Sequence, residues 1–183
     1  AAGPKSTGNL RGSKGTLWEG GLRVPGIVEW PARIAKSFVS DLPCSTLDIY
    51  PTVLAATGTV AEKQIQPLDG INLLPLIEQK MDTRGKAIPF VAQINRPGAH
   101  AALLDWPYKL HTDASGARGK KGAVGGEVKP VLLFDVAKDP NETTDLSAQQ
   151  PERVAKMTAA LAAWKSSVTK SLAGEDYAKP SAK

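Results

Sequence analysis

Apolar residues recur every three or four positions at Val154, Met157, Leu161, Trp164, Val168 and Leu172. That period predicts one amphipathic helix that starts after Pro151 and ends before Gly174. Upstream the pattern changes to short β-like runs, Ile88–Ile94, Ala99–Leu104, Tyr108–Thr112 and Val131–Val136. Only Asp105-Trp106-Pro107 separates the second run from the third, which is hairpin spacing, so those two strands are expected to pair antiparallel. The helix, with one apolar face, is expected to lie across this small sheet.

The first half of the chain is less regular. Gly3–Gly21 carries glycine at 3, 8, 12, 15, 20 and 21 and reads as a long loop ending in a turn. Val24–Trp30 reads as a short buried strand, with Pro25 at its start and Pro31 closing it. Ser45-Thr46-Leu47-Asp48 is a capping box with Asp in the acidic position, which starts a helix running to about Ala56. Leu47, Tyr50, Val53 and Leu54 are its expected buried stripe, Pro51 is expected to kink or restart it, and Gly58 sits where a C-cap belongs. Asp69-Gly70 marks a turn and Leu73–Ile77 a short apolar element. Thr112–Pro130 reads as a Gly- and Lys-rich loop, and the tail after Gly174 as frayed.

The texture shifts near Thr83–Lys86, which is the best internal boundary. The part before it holds one strand and one helix, too little for two packed layers around a core of its own. The full length of 183 residues suits one domain or a domain with an appended piece. With 42% hydrophobic and 22% charged residues the chain is globular rather than disordered. No apolar run is long enough to span a membrane, and Ala1–Leu10 lacks a signal-peptide layout. The chain opens in mid-loop without an initiator Met. Lys and Arg outnumber Asp and Glu by 23 to 18, a mild bias toward anionic partners such as sulfated or phosphorylated compounds, acidic glycans or nucleic acid. One cysteine excludes an internal disulfide framework, and with two histidines the supply of transition-metal ligands is thin.

Candidate chemistry is sparse. Lys14, in a glycine-flanked loop, could swing its ammonium onto a sulfate or phosphate oxygen. Gly12-Ser13-Lys14-Gly15 lacks the Walker spacing, and a lone loop lysine is ordinarily a solvated surface group. Cys44 has no base placed beside it by sequence and reads as a buried structural thiol. His100 and His111 flank the hairpin and either face one another or sit on the sheet surface, the second being the default. Asp135, Asp139, Glu142 and Asp145 lie in turn chemistry, without EF-hand spacing. The basic loop Arg118–Lys129 has no interleaved aromatics, which argues against a stacking surface for nucleic acid.

Leu10-Arg11-Gly12-Ser13-Lys14-Gly15-Thr16-Leu17-Trp18-Glu19-Gly20-Gly21-Leu22-Arg23-Val24-Pro25, followed by Trp30-Pro31, resembles the second signature region of the type I sulfatases, the arylsulfatase and N-acetylgalactosamine-6-sulfatase group. The resemblance continues in order through Thr46–Thr52, Leu68-Asp69-Gly70, Trp106–Leu110, Leu133-Phe134-Asp135 and Asp139-Pro140-Asn141-Glu142, covering roughly Gly3 to Leu172. It implies an α/β fold: residues 1–84 as the closing segment of an alkaline-phosphatase-like sulfatase catalytic domain, 85–174 as a small α+β subdomain, and 175–183 as a flexible tail. It also implies a calcium-dependent sulfuric ester hydrolase with a formylglycine nucleophile, export to the periplasm or medium, and a sulfated small molecule or glycan as partner; from the residues themselves, neither a nucleic acid, which net charge alone would support, nor a membrane is expected as partner. Lys14 matches the family lysine that contacts the substrate sulfate, and His100 joins it as a second candidate substrate-binding residue. Glu19 and Arg23 match the signature as a pair that holds the loop.

The departures from the family pattern are equally specific. Cys44-Ser45-Thr46-Leu47-Asp48 lacks the proline and arginine of the Cys/Ser-x-Pro-x-Arg motif, no other such motif occurs, and the nucleophile is not carried onto Cys44. Ala1 and Ala2 stand where the family has Asp and Asn as calcium ligands, and methyl groups cannot coordinate a hard cation, so no metal ligand is assigned. Either the start is a fragment junction or the site has been lost. The sequence thus reads as the C-terminal part of a sulfatase, inactive in isolation, whose partner is the missing N-terminal part of the catalytic domain. The alternative is a non-catalytic module that binds sulfated or anionic glycans through Lys14 and Arg118–Lys129.

Overall fold

The computed structural model describes residues 7–60, 67–94, 99–113 and 131–175. Ala1, Ala2 and the basic loop Arg118–Lys129 lie outside the described residues. The chain divides into two compact units, one built from the described residues of 7–24 and 89–175, the other from those of 25–88.

The first unit is organised by a four-stranded sheet in the order β1 (Ile88–Val91), β2 (Ala101–Asp105), β3 (Tyr108–Thr112), β4 (Val131–Asp135). β2 and β3 pair antiparallel about the two-residue turn Trp106-Pro107, with Asp105 opposite Tyr108 and Ala102 opposite His111. β3 and β4 also pair antiparallel, Lys109 opposite Phe134 and His111 opposite Leu132. Directly opposed residues share a face, so the register sorts the sheet into two sides. Leu103, Leu110 and Leu133 lie on one side, Leu104, Lys109, His111 and Phe134 on the other.

The first side takes the long helix, labelled α4 (Pro151–Leu172), whose Met157 and Leu161 are buried. It begins at Pro151, where a missing N–H leaves no hydrogen bond unmade, and closes at Gly174 in a left-handed conformation. Arg153 lies over the Tyr108 ring at 3.9 Å and ties its first turn to the hairpin. The helix and the four β-runs form where the periodicity placed them, although Leu172, expected on the buried stripe, is exposed. The second side of the sheet is covered by the glycine-rich loop and the short α1 (Glu19–Leu22).

The second unit departs more from expectation. Val24–Trp30 is not a strand, and no ladder partner for it exists among the described residues. A segment without a neighbour has no sheet in which to place its amide groups. Its apolar side chains stand open, Ile27 at 92% exposure. Ser45 and Asp48 make the expected capping box around a 3₁₀ turn at Thr46–Asp48, and α2 (Ile49–Thr57) follows, ending at Gly58 with φ 65°. Pro51 lies in the first turn of α2, where its absent donor is not needed, so it neither kinks nor restarts the helix. The predicted buried stripe is wrong: Leu47, Tyr50 and Val53 are exposed and no residue of α2 is buried. What holds this unit is polar. The buried Asp48 carboxylate accepts two bonds of 2.6 Å from Arg84 and the amides of Ser45 and Ile71 at 2.7 and 2.8 Å. Burial alone raises the Asp48 pKa, but these donors outweigh it and hold the carboxyl below its ordinary range. Gly70 is fixed by the same junction, since a Cβ there would lie 1.9 Å from the Leu47 carbonyl oxygen. The Leu73–Ile77 element is one helical turn, α3 (Leu74–Ile77).

Candidate functional site

Lys14 sits exposed on a tight turn of the glycine loop. The turn is closed by Thr16, whose amide donates to the Ser13 carbonyl at 3.0 Å while its hydroxyl donates to the same oxygen and accepts from the Ser13 amide. It is packed down on α1, where Gly20 donates to the Arg11 carbonyl at 2.7 Å. Gly21 lies so close that a Cβ would stand 2.2 Å from the Thr16 carbonyl oxygen, so the signature glycines permit backbone-to-backbone packing of turn on helix.

Beneath this loop lies a fully enclosed polar chain. Lys109, on the central strand β3, is 0% exposed and points its ammonium at Glu19 Oε1 (2.8 Å) and Glu142 Oε1 (3.1 Å). Glu142, also 0% exposed, accepts the Glu19 amide on Oε2 at 2.7 Å and faces His111 Nε2 at 2.8 Å. His111 Nδ1 in turn lies 2.8 Å from His100 Nε2. The carboxylate of Glu142 already accepts from Lys109 and Glu19, so His111 Nε2 carries the proton toward it. His111 Nδ1 is then the acceptor, and His100 Nε2 donates. Both imidazoles are neutral in this arrangement.

The electrostatics agree with neutral rings. Burial, then the neighbouring His111 and the Lys109 charge, push the His100 pKa down to about 4. Burial, followed by the Lys109 and Arg11 charges, drives His111 well below its ordinary value. Burial raises the Glu142 carboxyl, a shift that Lys109 and the Glu19 amide restrain. Trp18 closes the chain from above, stacking on the His111 ring at 4.2 Å, and Arg11 lies over Trp18 at 3.6 Å while donating to the Glu142 carbonyl at 2.9 Å. Two cations, Lys109 and Arg11, therefore offset two carboxylates.

The structure brings together several residues singled out from sequence. His100 and His111 do face one another, inside the molecule rather than on the sheet surface. Glu19 and Arg23 come within 3.9 Å, at the limit of an ion pair. Lys14 remains at the surface above the network and His100 lies within it. Cys44 is exposed, not the buried thiol expected, because its segment lacks a covering layer. Although the residue is exposed, its sulfur is partly shielded from water, and that partial desolvation, followed by the Asp48 charge, raises its pKa against a smaller pull from Arg84, which opposes thiolate chemistry. Lys109, Glu142, Arg11 and Trp18 were missed as interacting groups, although all four fall within the family landmarks. Alternation in Tyr108-Lys109-Leu110-His111-Thr112 reads as a half-buried strand with a wet polar face, and sequence alone does not show that a distant loop covers that face.

No family model matches the chain. It is 34% identical over 164 residues to the steryl-sulfatase of Homo sapiens, a match covering 80% of this chain and 28% of that protein. Among solved structures, Ps i-CgsB in complex with k-i-k-neocarrahexaose is similar at a TM-score of 0.65 and 26% identity, over 85% of this chain and 32% of that one. The PsFucS1 sulfatase from Pseudoalteromonas sp. gives a TM-score of 0.68 at 24% identity, over 88% of this chain and 33% of that one, which speaks for the fold. The chain spans about 28% of the length of the curated relatives it matches.

Proposed function

The chain belongs to the type I sulfatase family and corresponds to its C-terminal part, and from that membership we propose that it serves sulfate ester hydrolysis by presenting Lys14 to the substrate sulfate. The observation that carries this reading is the 34% identity to a steryl-sulfatase across 80% of the chain. Lys14 is suited to the role. Its ammonium is a compact charge on a flexible stem, raised on a braced turn and open to solvent, able to meet a sulfate oxygen on which negative charge develops. A sulfated carbohydrate is the substrate class we propose, supported by the neocarrahexaose bound to the similar Ps i-CgsB.

The family nucleophile has no counterpart in these 183 residues, which contain no Cys/Ser-x-Pro-x-Arg motif. The family calcium also finds no donor set. Among the described residues no group of three or more His, Cys, Asp or Glu side chains is arranged so that it could hold a metal ion, and Ala1 and Ala2 offer only methyl groups. This chain's own contribution at the sulfate is therefore charge and placement, with bond cleavage supplied by groups outside it.

Two measurements test the proposal. Purified chain incubated with an aryl sulfate is expected to show no turnover; turnover abolished by Lys14→Ala would overturn the placement of the nucleophile elsewhere. Inorganic sulfate is expected to slow acylation of the Lys14 amine more than that of the exposed Lys138, read by peptide mass spectrometry. Equal protection of both lysines, or of neither, removes Lys14 from the site.

A further inference from the structure

Residues 11–19 are fastened at both ends to the same residue. The Arg11 guanidinium donates to the Glu142 carbonyl at 2.9 Å, and the Glu19 amide donates to the Glu142 carboxylate at 2.7 Å. Lys14 stands between those two points, on the turn that Gly20 ties back to Arg11. Glu142 itself adopts φ 53°, a left-handed conformation that a non-glycine residue rarely takes and that surrounding contacts must over-determine. Its side chain is wholly buried and braced by Lys109 and His111 from β3, the central strand. A surface loop with no function at its tip does not need a buried, paired carboxylate to hold its base, since such pairs add little net stability over apolar packing.

We propose that Glu142 is a positioning residue for Lys14: with one backbone and one carboxylate bond it clamps both ends of the Lys14 loop onto the sheet and so fixes where the ammonium meets the sulfate. The inference rests on the assignment of Lys14 to sulfate binding only for its purpose; the clamp itself is a matter of geometry. Lys109 and His111 act through Glu142 by orienting its two oxygens, Oε1 toward themselves and Oε2 toward the loop. All three side chains are enclosed, away from the surface at which Lys14 is exposed.

Hydrogen exchange followed by NMR on the intact 183-residue chain tests the clamp without reference to activity. Glu142→Ala is expected to speed exchange at the Thr16, Glu19 and Gly20 amides by about tenfold or more, the scale set by loss of one hydrogen bond to a buried charge, while Leu103 and Leu110 in the sheet keep their protection. Glu142→Gln keeps one acceptor oxygen for the Glu19 amide but turns its NH2 toward the Lys109 and His111 donors, so it is expected to restore the loop protection in part, to a level between Glu142→Ala and the unaltered chain, a graded rescue that simple core loosening does not predict. Sulfate protection of the Lys14 amine should fall in Glu142→Ala and return in part in Glu142→Gln. A uniform rise in loop and sheet, or an unchanged loop, overturns the clamp. If Glu142→Ala does not fold, Glu142→Asp decides: its shorter carboxylate cannot span Glu19 and His111 together, so the loop amides alone should lose protection. Failure of sulfate to protect Lys14 in the unaltered chain defeats the sulfate-binding assignment and leaves the exchange pattern to judge the clamp.

Discussion

Lys109 is the residue on which the buried charges depend. Its buried ammonium lies between two largely buried carboxylates, so its removal leaves Glu19 and Glu142 facing each other in the interior. Stripping one partner from a buried ion pair costs about 3–5 kcal/mol, far above the few tenths expected of a surface charge. Lys109→Ala should therefore lower the urea midpoint steeply, whereas Lys138→Ala, whose pairing with Asp135 is 86% exposed on the lysine side, should scarcely move it. Equal midpoints for the two variants would mean that Lys109 is not the counter-charge described. The exposure of Lys14 was legible in the sequence because a lysine flanked by glycines in a turn reads as a solvated surface charge. Lys109 was not, because a lysine alternating with leucines in a strand is the usual mark of a wet face. Its burial arises from a contact with Glu19, ninety positions away in the chain.

At the scale of elements, what was legible divides by the kind of interaction that forms each one. Helix α4, its proline start and glycine stop, and the β2–β3 hairpin depend on local period and turn chemistry, which sequence displays directly. The supposed strand at Val24–Trp30 and the buried face of α2 depend on partners, and the described residues of that unit supply neither a neighbouring strand nor a covering layer. The glycine loop falls between these cases, since its glycines announce close packing without saying against what. Gly21 and Gly15 separate the two meanings of a glycine. An added Cβ at Gly21 meets the Thr16 carbonyl oxygen at 2.2 Å, while at Gly15 it meets nothing within 4 Å and only the φ of 88° resists it. Gly15→Ala should cost about 1 kcal/mol, the penalty of a left-handed alanine, and leave the turn in place. Gly21→Ala should cost more than 2 kcal/mol, within the range of overpacking, and free the Lys14 turn from α1. Comparable urea midpoints for the two variants would count against the packing of turn on helix. On the opposite side of the sheet, Leu161→Ala at the buried stripe of α4 should cost about 2–5 kcal/mol with no change in loop exchange, which separates the core side from the polar side.

For the molecule as a whole, the buried histidine pair sets the response to acid. The only two histidines of the chain are His100 and His111, and both are held neutral. The groups that face them are Lys109, Glu142 and Arg11, with Asp113 adding a weak pull in favour of charge on His100. In the unfolded chain each ring takes a proton near pH 6.5; in the folded chain His100 resists until about 4, and His111 too stays neutral well below its ordinary value. The unfolded state thus binds more protons throughout that window, and stability must fall as pH drops through it, by about 1.4 kcal/mol per pH unit for each histidine. Glu142 works in the opposite sense. Its raised pKa lets the folded state take a proton before the unfolded one does, which returns part of the loss at the lower end of the window. Asp48, depressed by Arg84, adds a further loss only below its unfolded value near 3.8. The expected curve is flat above pH 7, falls from about 6.5 towards 4, and continues downward as Asp48 is protonated. Histidine ring signals should show no titration step between pH 8 and 5 in the folded chain, while the urea midpoint at pH 5 lies well below that at pH 7.5. A ring titrating near 6.5 with an unchanged midpoint would show the pair to be open to water, and the polar chain beneath the Lys14 loop would then lack the enclosure that orders its protons.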